Sequence, residues 1–217
     1  MLRDDPREWE AAASSLGVDV SRLLLVKQVH GVHVAIARRG RPDGWARPEA
    51  DAIITDDPGV AIGVRVADCA PATLFTGSTI STGAAHAGWR GTAAGAAAAA
   101  VRAMGETFGS RPADLIAAIG PCLGRCCGEV GPDVLAAFRA GGAEDASMNA
   151  WFTPGQGDRS WLDLERANRD QLASAGIDPA RIFASGLCTR THRDRLHSYR
   201  GDGAQAGRLL GAIRVAQ

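Results

Sequence analysis

Apolar positions along the chain fall into short runs and a few amphipathic stretches, separated by glycine-rich turns. Asp5-Pro6-Arg7-Glu8 reads as an N-cap, a proline at the first helical position and an acidic third residue. Trp9, Ala12, Ala13 and Leu16 then share one face, and Gly17 ends the helix. The run at 23–29 predicts a buried strand, and the alternation at 32–37 predicts a second. Residues 52–55 and 60–66, joined by Asp56-Asp57-Pro58-Gly59, predict a β-hairpin. Further strands are expected at 73–75, 81–85 and 115–119. Helices are expected at 92–104, 130–138 and 162–175, the last opened by Asp163 and closed by Gly176. Strands and helices mix without a regular βαβ rhythm, which favours an α+β fold over a doubly wound parallel sheet.

Composition narrows the picture. The 217 residues suffice for a substantial core and read as one domain, with no linker, repeat or charge block. The 24 basic and 24 acidic residues cancel, which argues against nucleic acid or an anionic membrane as the main partner. No apolar run approaches the roughly 18 residues that span a bilayer. The start, Met-Leu-Arg-Asp-Asp-Pro, is too polar for a secretory signal. Five cysteines without framework spacing suit reduced thiols, so a cytoplasmic location is expected.

Three segments carry candidate chemistry: Lys27-Gln28-Val29-His30-Gly31, Val66-Ala67-Asp68-Cys69 and Ala84-Ala85-His86-Ala87-Gly88-Trp89-Arg90-Gly91. Each supplies one nitrogen or sulfur ligand, and together they match the three-ligand set of a catalytic zinc site. Taken singly, Cys69 fits a small core residue, His30 a structural histidine, and Gly-Trp-Arg-Gly a tight turn around a packed Trp. Read together, His86 precedes a turn in which Gly88 and Gly91 admit a ligand close to the backbone and Arg90 offers a bidentate guanidinium for phosphate or carboxylate. The start of the 92–104 helix would add to that anion-binding corner. Asp68 beside Cys69 is a candidate for orienting a ligand or for acid–base work. Ser198-Tyr199-Arg200-Gly201-Asp202-Gly203, with Arg208, reads either as a solvated turn or as a site loop offering Arg and hydroxyl groups, Ser198 and Arg200 among them. The Cys-x3-Cys-Cys spacing of Cys122, Cys126 and Cys127 suggests a second metal, but with only Cys188 left in place of a partnering pair these thiols read as structural.

Read in order, the chain resembles the YfiH family, members of which carry laccase-domain, polyphenol oxidase or purine nucleoside phosphorylase names. The matching words are Gln-Val-His-Gly at 28–31, Ala-Asp-Ala at 50–52, Ala-Asp-Cys-Ala-Pro at 67–71 and His-Ala-Gly-Trp-Arg-Gly at 86–91. Ile-Gly-Pro-Cys at 119–122, Cys-Cys-Gly-Glu-Val-Gly at 126–131, Leu-Asp-Leu and Ala-Asn-Arg within 162–169, Cys-Thr at 188–189 and Ser-Tyr-Arg at 198–200 complete the series. The resemblance implies a mixed-sheet α+β sandwich flanked by helices, distantly like the deamidase domain of cytotoxic necrotizing factors. It implies one zinc ion on His30, Cys69 and His86. It also implies phosphorolysis of adenosine, inosine or methylthioadenosine, with adenosine deamination as a further activity. On that reading the partners are a purine nucleoside and phosphate; the residues themselves, rather than the resemblance, suggest Asp68 and Arg90 as catalytic beside Cys69. Arg90, Gly91, Ser198 and Arg200 are then the substrate contacts. Two departures bear on the site. Members usually begin with some forty more residues, so an N-terminal segment is expected to be missing. The tail carries His197, Gly201 and Ala206 where other residues are usual.

The laccase name fails on counting: a four-copper centre needs about ten imidazoles, and this chain has five His and no His-x-His pair. Two other classes compete with the zinc phosphorylase. One is an amide hydrolase editing peptidoglycan precursors, with Cys69 as nucleophile and His86 as base or with zinc. The other is a non-catalytic binding protein with a degenerate site.

Overall fold

The computed structural model describes residues 5–40 and 44–215; the first four residues of the polar start lie outside them. The strands are β1 (Leu23–Leu25), β2 (Val34–Ala37), β3 (Ala52–Thr55), β4 (Ala61–Val66), β5 (Ala70–Thr76), β6 (Ser81–Ala87), β7 (Ile116–Ile119), β8 (Glu129–Val130), β9 (Phe152–Pro154), β10 (Ser160–Leu162), β11 (Ile182–Ala184) and β12 (Leu209–Arg214). The helices are α1 (Pro6–Ser15), α2 (Trp89–Ala94), α3 (Ala96–Phe108), α4 (Pro132–Ala140), α5 (Asp145–Trp151), α6 (Leu164–Ser174) and α7 (Tyr199–Asp202). A six-stranded mixed sheet runs β11-β7-β5-β6-β3-β2, and a second sheet, β1-β4-β12, packs on one of its faces. Helices α3 and α6 cover the other face, and α1 lies outside the smaller sheet. The expected α+β sandwich is therefore the observed one.

Burial explains the layering. Leu24, Ile53, Ile62, Val64 and Ala84 fill the space between the sheets, while Ile54, Leu74, Ala85, Val101, Met104 and Leu172 form the helix-side core. Consecutive residues of β3 and β6 thus face two different cores, and every position of both strands is buried. Small side chains on β6 let both layers approach: a Cβ on Gly83 would stand 3.2 Å from the Met104 sulfur and 3.4 Å from Ile54.

Four sequence expectations are corrected. The strand at 23–29 stops at Leu25, and the chain beyond it loops, with His30 at φ +62°. The 52–66 segment is not a hairpin: β3 pairs with β2 and β6, whereas β4 pairs with β1 and β12. Two apolar strands joined by a tight turn fit a hairpin or an arch between packed sheets equally well, and burial on both faces selects the arch. The 92–104 helix is two helices, broken at Gly95, which takes φ +82°; α2 begins three residues early, at Trp89. The 130–138 helix starts only at Pro132, after β8. By contrast, the caps of α1 and α6 are as read, with the Asp5 and Asp163 carboxylates accepting from the N–H groups of Arg7 and Arg166.

Helix α2, which carries Arg90, is held by α4. Gly141 at the end of α4 approaches the Ala93 carbonyl so closely that an added Cβ would lie 1.9 Å from its oxygen. Gly141→Ala is expected to destabilise the protein by about 1–3 kcal/mol through overpacking. A lower urea midpoint at unchanged m-value would register it.

Candidate metal centre

His30, Cys69 and His86 come from three different structural settings and converge. Their ligand atoms all lie within 4.8 Å of one another. His86 is the penultimate residue of β6 and 3 % exposed. Cys69 sits where the chain crosses from β4 in one sheet to β5 in the other. His30 lies on the loop after β1, and its ring stands edge-on to that of His86 with centroids 4.9 Å apart. Gly88 permits the approach, because a Cβ there would fall 2.5 Å from the Cys69 sulfur.

One carboxylate organises this cluster. Asp51, fully buried, accepts hydrogen bonds from the N–H groups of Val29 (3.2 Å), His30 (2.9 Å) and Gly31 (2.6 Å). It also bonds His86 Nδ1 at 2.8 Å, which leaves Nε2 as the ligand atom. Gln28 clamps the same loop to β4, donating to the Arg65 carbonyl and accepting from the Arg65 N–H, both at 2.8 Å. The loop can therefore hold His30 in a left-handed conformation that an isolated L-residue avoids by roughly 1 kcal/mol.

Electrostatics follow from the geometry. Burial pushes the Cys69 thiol up, but hydrogen bonds and charge from His30 and His86 outweigh it and bring the pKa to about 7. Burial lowers His86, yet Asp51 and Cys69 raise it to about 9. Burial also opposes ionisation of Asp51, but His86 and the loop N–H groups hold its pKa below the usual value. At neutral pH the cluster thus sets an imidazolium between a carboxylate and a thiol poised to ionise. Two imidazole nitrogens and one thiolate, with a carboxylate fixing the tautomer behind one of them, suit a zinc-type cation.

The cluster borders a cavity of about 640 Å³ lined in part by Arg65, Asp68, Trp89, Arg90, Tyr199, Arg200 and Arg208. The Arg90 guanidinium lies 4.1 Å over the Trp89 ring, and among the described residues it pairs with no carboxylate. Asp68, at φ +81°, accepts from Thr189 Oγ1 (2.6 Å) and from the Arg200 N–H (2.5 Å), tying the 186–202 segment to the cluster. Arg200 in turn donates to the carbonyl of Glu129 at 3.0 Å. Two expected substrate contacts stand elsewhere. Ser198 is buried and caps α7, accepting from the Gly201 N–H. Gly91 is buried in α2 against the His86 carbonyl. Sequence reasoning quoted Ala-Asp-Ala at 50–52 but missed the role of Asp51, an acid between alanines ahead of an apolar strand, and it missed the cavity residue Arg65.

A mixed-sheet sandwich with a candidate thiolate–imidazole metal centre in a cationic cavity defines a small-molecule pocket protein. The chain belongs to the YfiH family: a family model described as "Multi-copper polyphenol oxidoreductase laccase" matches residues 6–216. It is 38% identical to a purine nucleoside phosphorylase of Deinococcus radiodurans, over 97% of this chain and 78% of that protein. It is 34% identical, over 93% of this chain and 78% of the relative, to adenosine deaminase RL5 from an unknown prokaryotic organism. The crystal structure of Bacillus licheniformis hypothetical protein YfiH superposes with a TM-score of 0.90 at 30% identity, covering 97% of this chain and 80% of that one. The Deinococcus and RL5 relatives carry enzyme names. Among the described residues, no helix is long and apolar enough to cross a membrane.

A cation must displace the His86 proton, so its affinity is expected to weaken as pH falls below about 9, by about tenfold per unit. The decline steepens below about 7, where Cys69 also takes a proton. Competition with a chromophoric chelator across that range measures both slopes. Asp51→Asn is expected to weaken zinc binding by about 10–100-fold, read by the same competition.

Proposed function

We propose that this chain is a zinc-dependent purine nucleoside phosphorylase acting on adenosine, inosine or methylthioadenosine, with adenosine deamination as a side activity. The observation that carries the reading is the juxtaposition, in one cavity, of the His30–Cys69–His86 cluster with the guanidinium of Arg90, which pairs with no carboxylate among the described residues. At about 640 Å³ the cavity falls in the range of small-molecule sites.

Arg90, assisted by Arg200 and Arg208 on the same wall, holds phosphate through charge-assisted hydrogen bonds. The exposed ring of Tyr199 offers a face on which the purine stacks, a contact worth about 1–3 kcal/mol. Monohydrogen phosphate forms a bond to the ribose anomeric carbon while the bond to the base breaks, and the phosphate proton passes to the leaving purine. Zinc bound at His30, Cys69 and His86 would supply a Lewis acid beside the reacting groups. Asp68 serves as a positioning residue, because its two oxygens already accept from the Thr189 hydroxyl and the Arg200 N–H and so fix the loop that carries Arg200.

A second reading rests on its own observation. Asp51, His86 and Cys69 stand in the order carboxylate, imidazole, thiol, with the thiol at about 7, as in a thiol hydrolase. The same sulfur cannot serve at once as zinc ligand and free nucleophile. Stoichiometric zinc in protein purified without added metal, lost in Cys69→Ala, excludes the free-thiol mechanism.

Phosphate-dependent release of free base with ribose-1-phosphate from any of the three nucleosides is the expected assay result. Zinc-loaded, folded protein that releases no base, or releases it without phosphate, overturns the phosphorylase reading. Arg90→Ala is expected to lower kcat/KM for phosphate by about 10–100-fold, the loss of a charged hydrogen bond, at unchanged zinc content. Arg90→Lys should recover only part, because the planar fork is lost.

A further inference from the structure

Three of the remaining thiols form a second cluster that phosphorolysis does not use. Cys126 and Cys127 are adjacent on the loop before β8, and Cys188 lies on the loop after β11. Their sulfur atoms all stand within 4.8 Å of one another, and none is in a disulfide. The sequence reading lacked a partner for the first two; the fold brings Cys188 to them. Backbone pairing sets this up: Cys122 and Cys188 form an isolated parallel bridge, and the Thr189 N–H donates to the Cys122 carbonyl at 2.9 Å.

The surroundings of Cys188 are those of a ligand sulfur. Gly124 lets the backbone lie on it, since a Cβ there would stand 3.0 Å from Cys188 Cβ and 3.5 Å from both the Cys126 and Cys188 sulfurs. Burial raises the Cys188 thiol, but the N–H groups of Thr191, Gly124 and Arg190 and the Cys126 thiol turned toward it lower its pKa to about 7. N–H groups aimed at sulfur stabilise a thiolate. Cys122 differs: it is buried with its thiol pushed far up, and it stands outside the cluster.

We propose that Cys126, Cys127 and Cys188 form a second metal site that takes one thiophilic d10 cation, Zn²⁺ or Cu⁺, through three sulfurs. The exposed edge at Cys126 gives the ion a way in and leaves a fourth position open to solvent. Soft thiolates select these ions over hard ones. A Zn–S bond of about 2.3 Å places tetrahedral ligand sulfurs about 3.8 Å apart. The cluster therefore closes by about 1 Å at most, within reach of a rotation of the exposed Cys126 side chain. Binding releases the thiol protons to solvent and changes no oxidation state. The ion would pin the 122–128 and 186–192 loops together. Those loops anchor Asp68 through Thr189 Oγ1 and through the Leu123 N–H, which donates to the Asp68 carbonyl at 2.8 Å.

The test counts ions per chain in reduced, chelator-stripped protein reloaded with Zn²⁺ or, separately, with Cu⁺. Wild type is expected to hold two Zn²⁺. Cys69→Ser and Cys126→Ser should each hold one and the double variant none. Cu⁺ retained in Cys69→Ser but not in the double variant supports the same site and identifies the tighter ion. Co²⁺ gives an independent readout: the sulfur-to-cobalt charge-transfer band of Cys69→Ser should vanish in the double variant. Cys126 is exposed, so its replacement leaves the fold intact, and far-ultraviolet circular dichroism verifies this. Failure of the first centre shows as a Cys69→Ser count equal to wild type and leaves this proposal standing. A Cys126→Ser protein that binds as many ions as wild type overturns it. So does a Cys126–Cys188 disulfide that survives reductant in the folded chain.

Discussion

The buried carboxylate of Asp51 is the interaction on which the rest of the site depends. It has no access to water, so its charge is tolerable only because three loop N–H groups and one imidazole nitrogen surround it. Those bonds fix the loop that carries His30, and they choose which nitrogen of His86 faces Cys69. The residue belongs to the edge of β3, and β3 is fixed by two cores at once. A strand with no freedom to shift thus holds the anion, and the anion holds the ligands. The same carboxylate completes the arrangement that favours a hydrolase-like thiol, so one constraint prepares both chemistries weighed above.

Architecture and chemistry were legible in the sequence to different degrees. The helix caps at Asp5 and Asp163 were readable because a short polar side chain beside an apolar period has one local explanation. His30, Cys69 and His86 were readable as a set, because their flanking residues occur together in order, and the fold does bring the three together. The arch between β3 and β4 was not readable, since a short apolar run reports burial without saying which sheet a strand joins. Gly95 was passed over inside an alanine-rich stretch whose propensity argued for one helix, while the chain uses it to turn α3 onto the sheet. Ser198 and Gly91 were placed in the cavity by proximity in sequence; one has its oxygen committed to a helix cap, and the other has its face closed by the His86 carbonyl.

Cavity residues follow the same division. Arg90 was foreseen because it adjoins a ligand along the chain. Arg65 was not, because only the pairing of distant segments brings it to the cavity. The cysteines at 126, 127 and 188 make the point again: sixty residues of sequence separate groups that a single backbone bridge sets side by side.

The crossing from β4 to β5 at Cys69 also has a consequence in time. Strand β4 is flanked by β1, made early, and by β12, whose six residues pair along its whole length. At synthesis rates of about 5–20 residues per second, β12 follows Cys69 by roughly ten seconds or more. Throughout that interval the thiol of Cys69 belongs to a sheet without its far edge. The low pKa of Cys69 is therefore acquired late, because the imidazoles of His30 and His86 lower it only once the chain has closed around them.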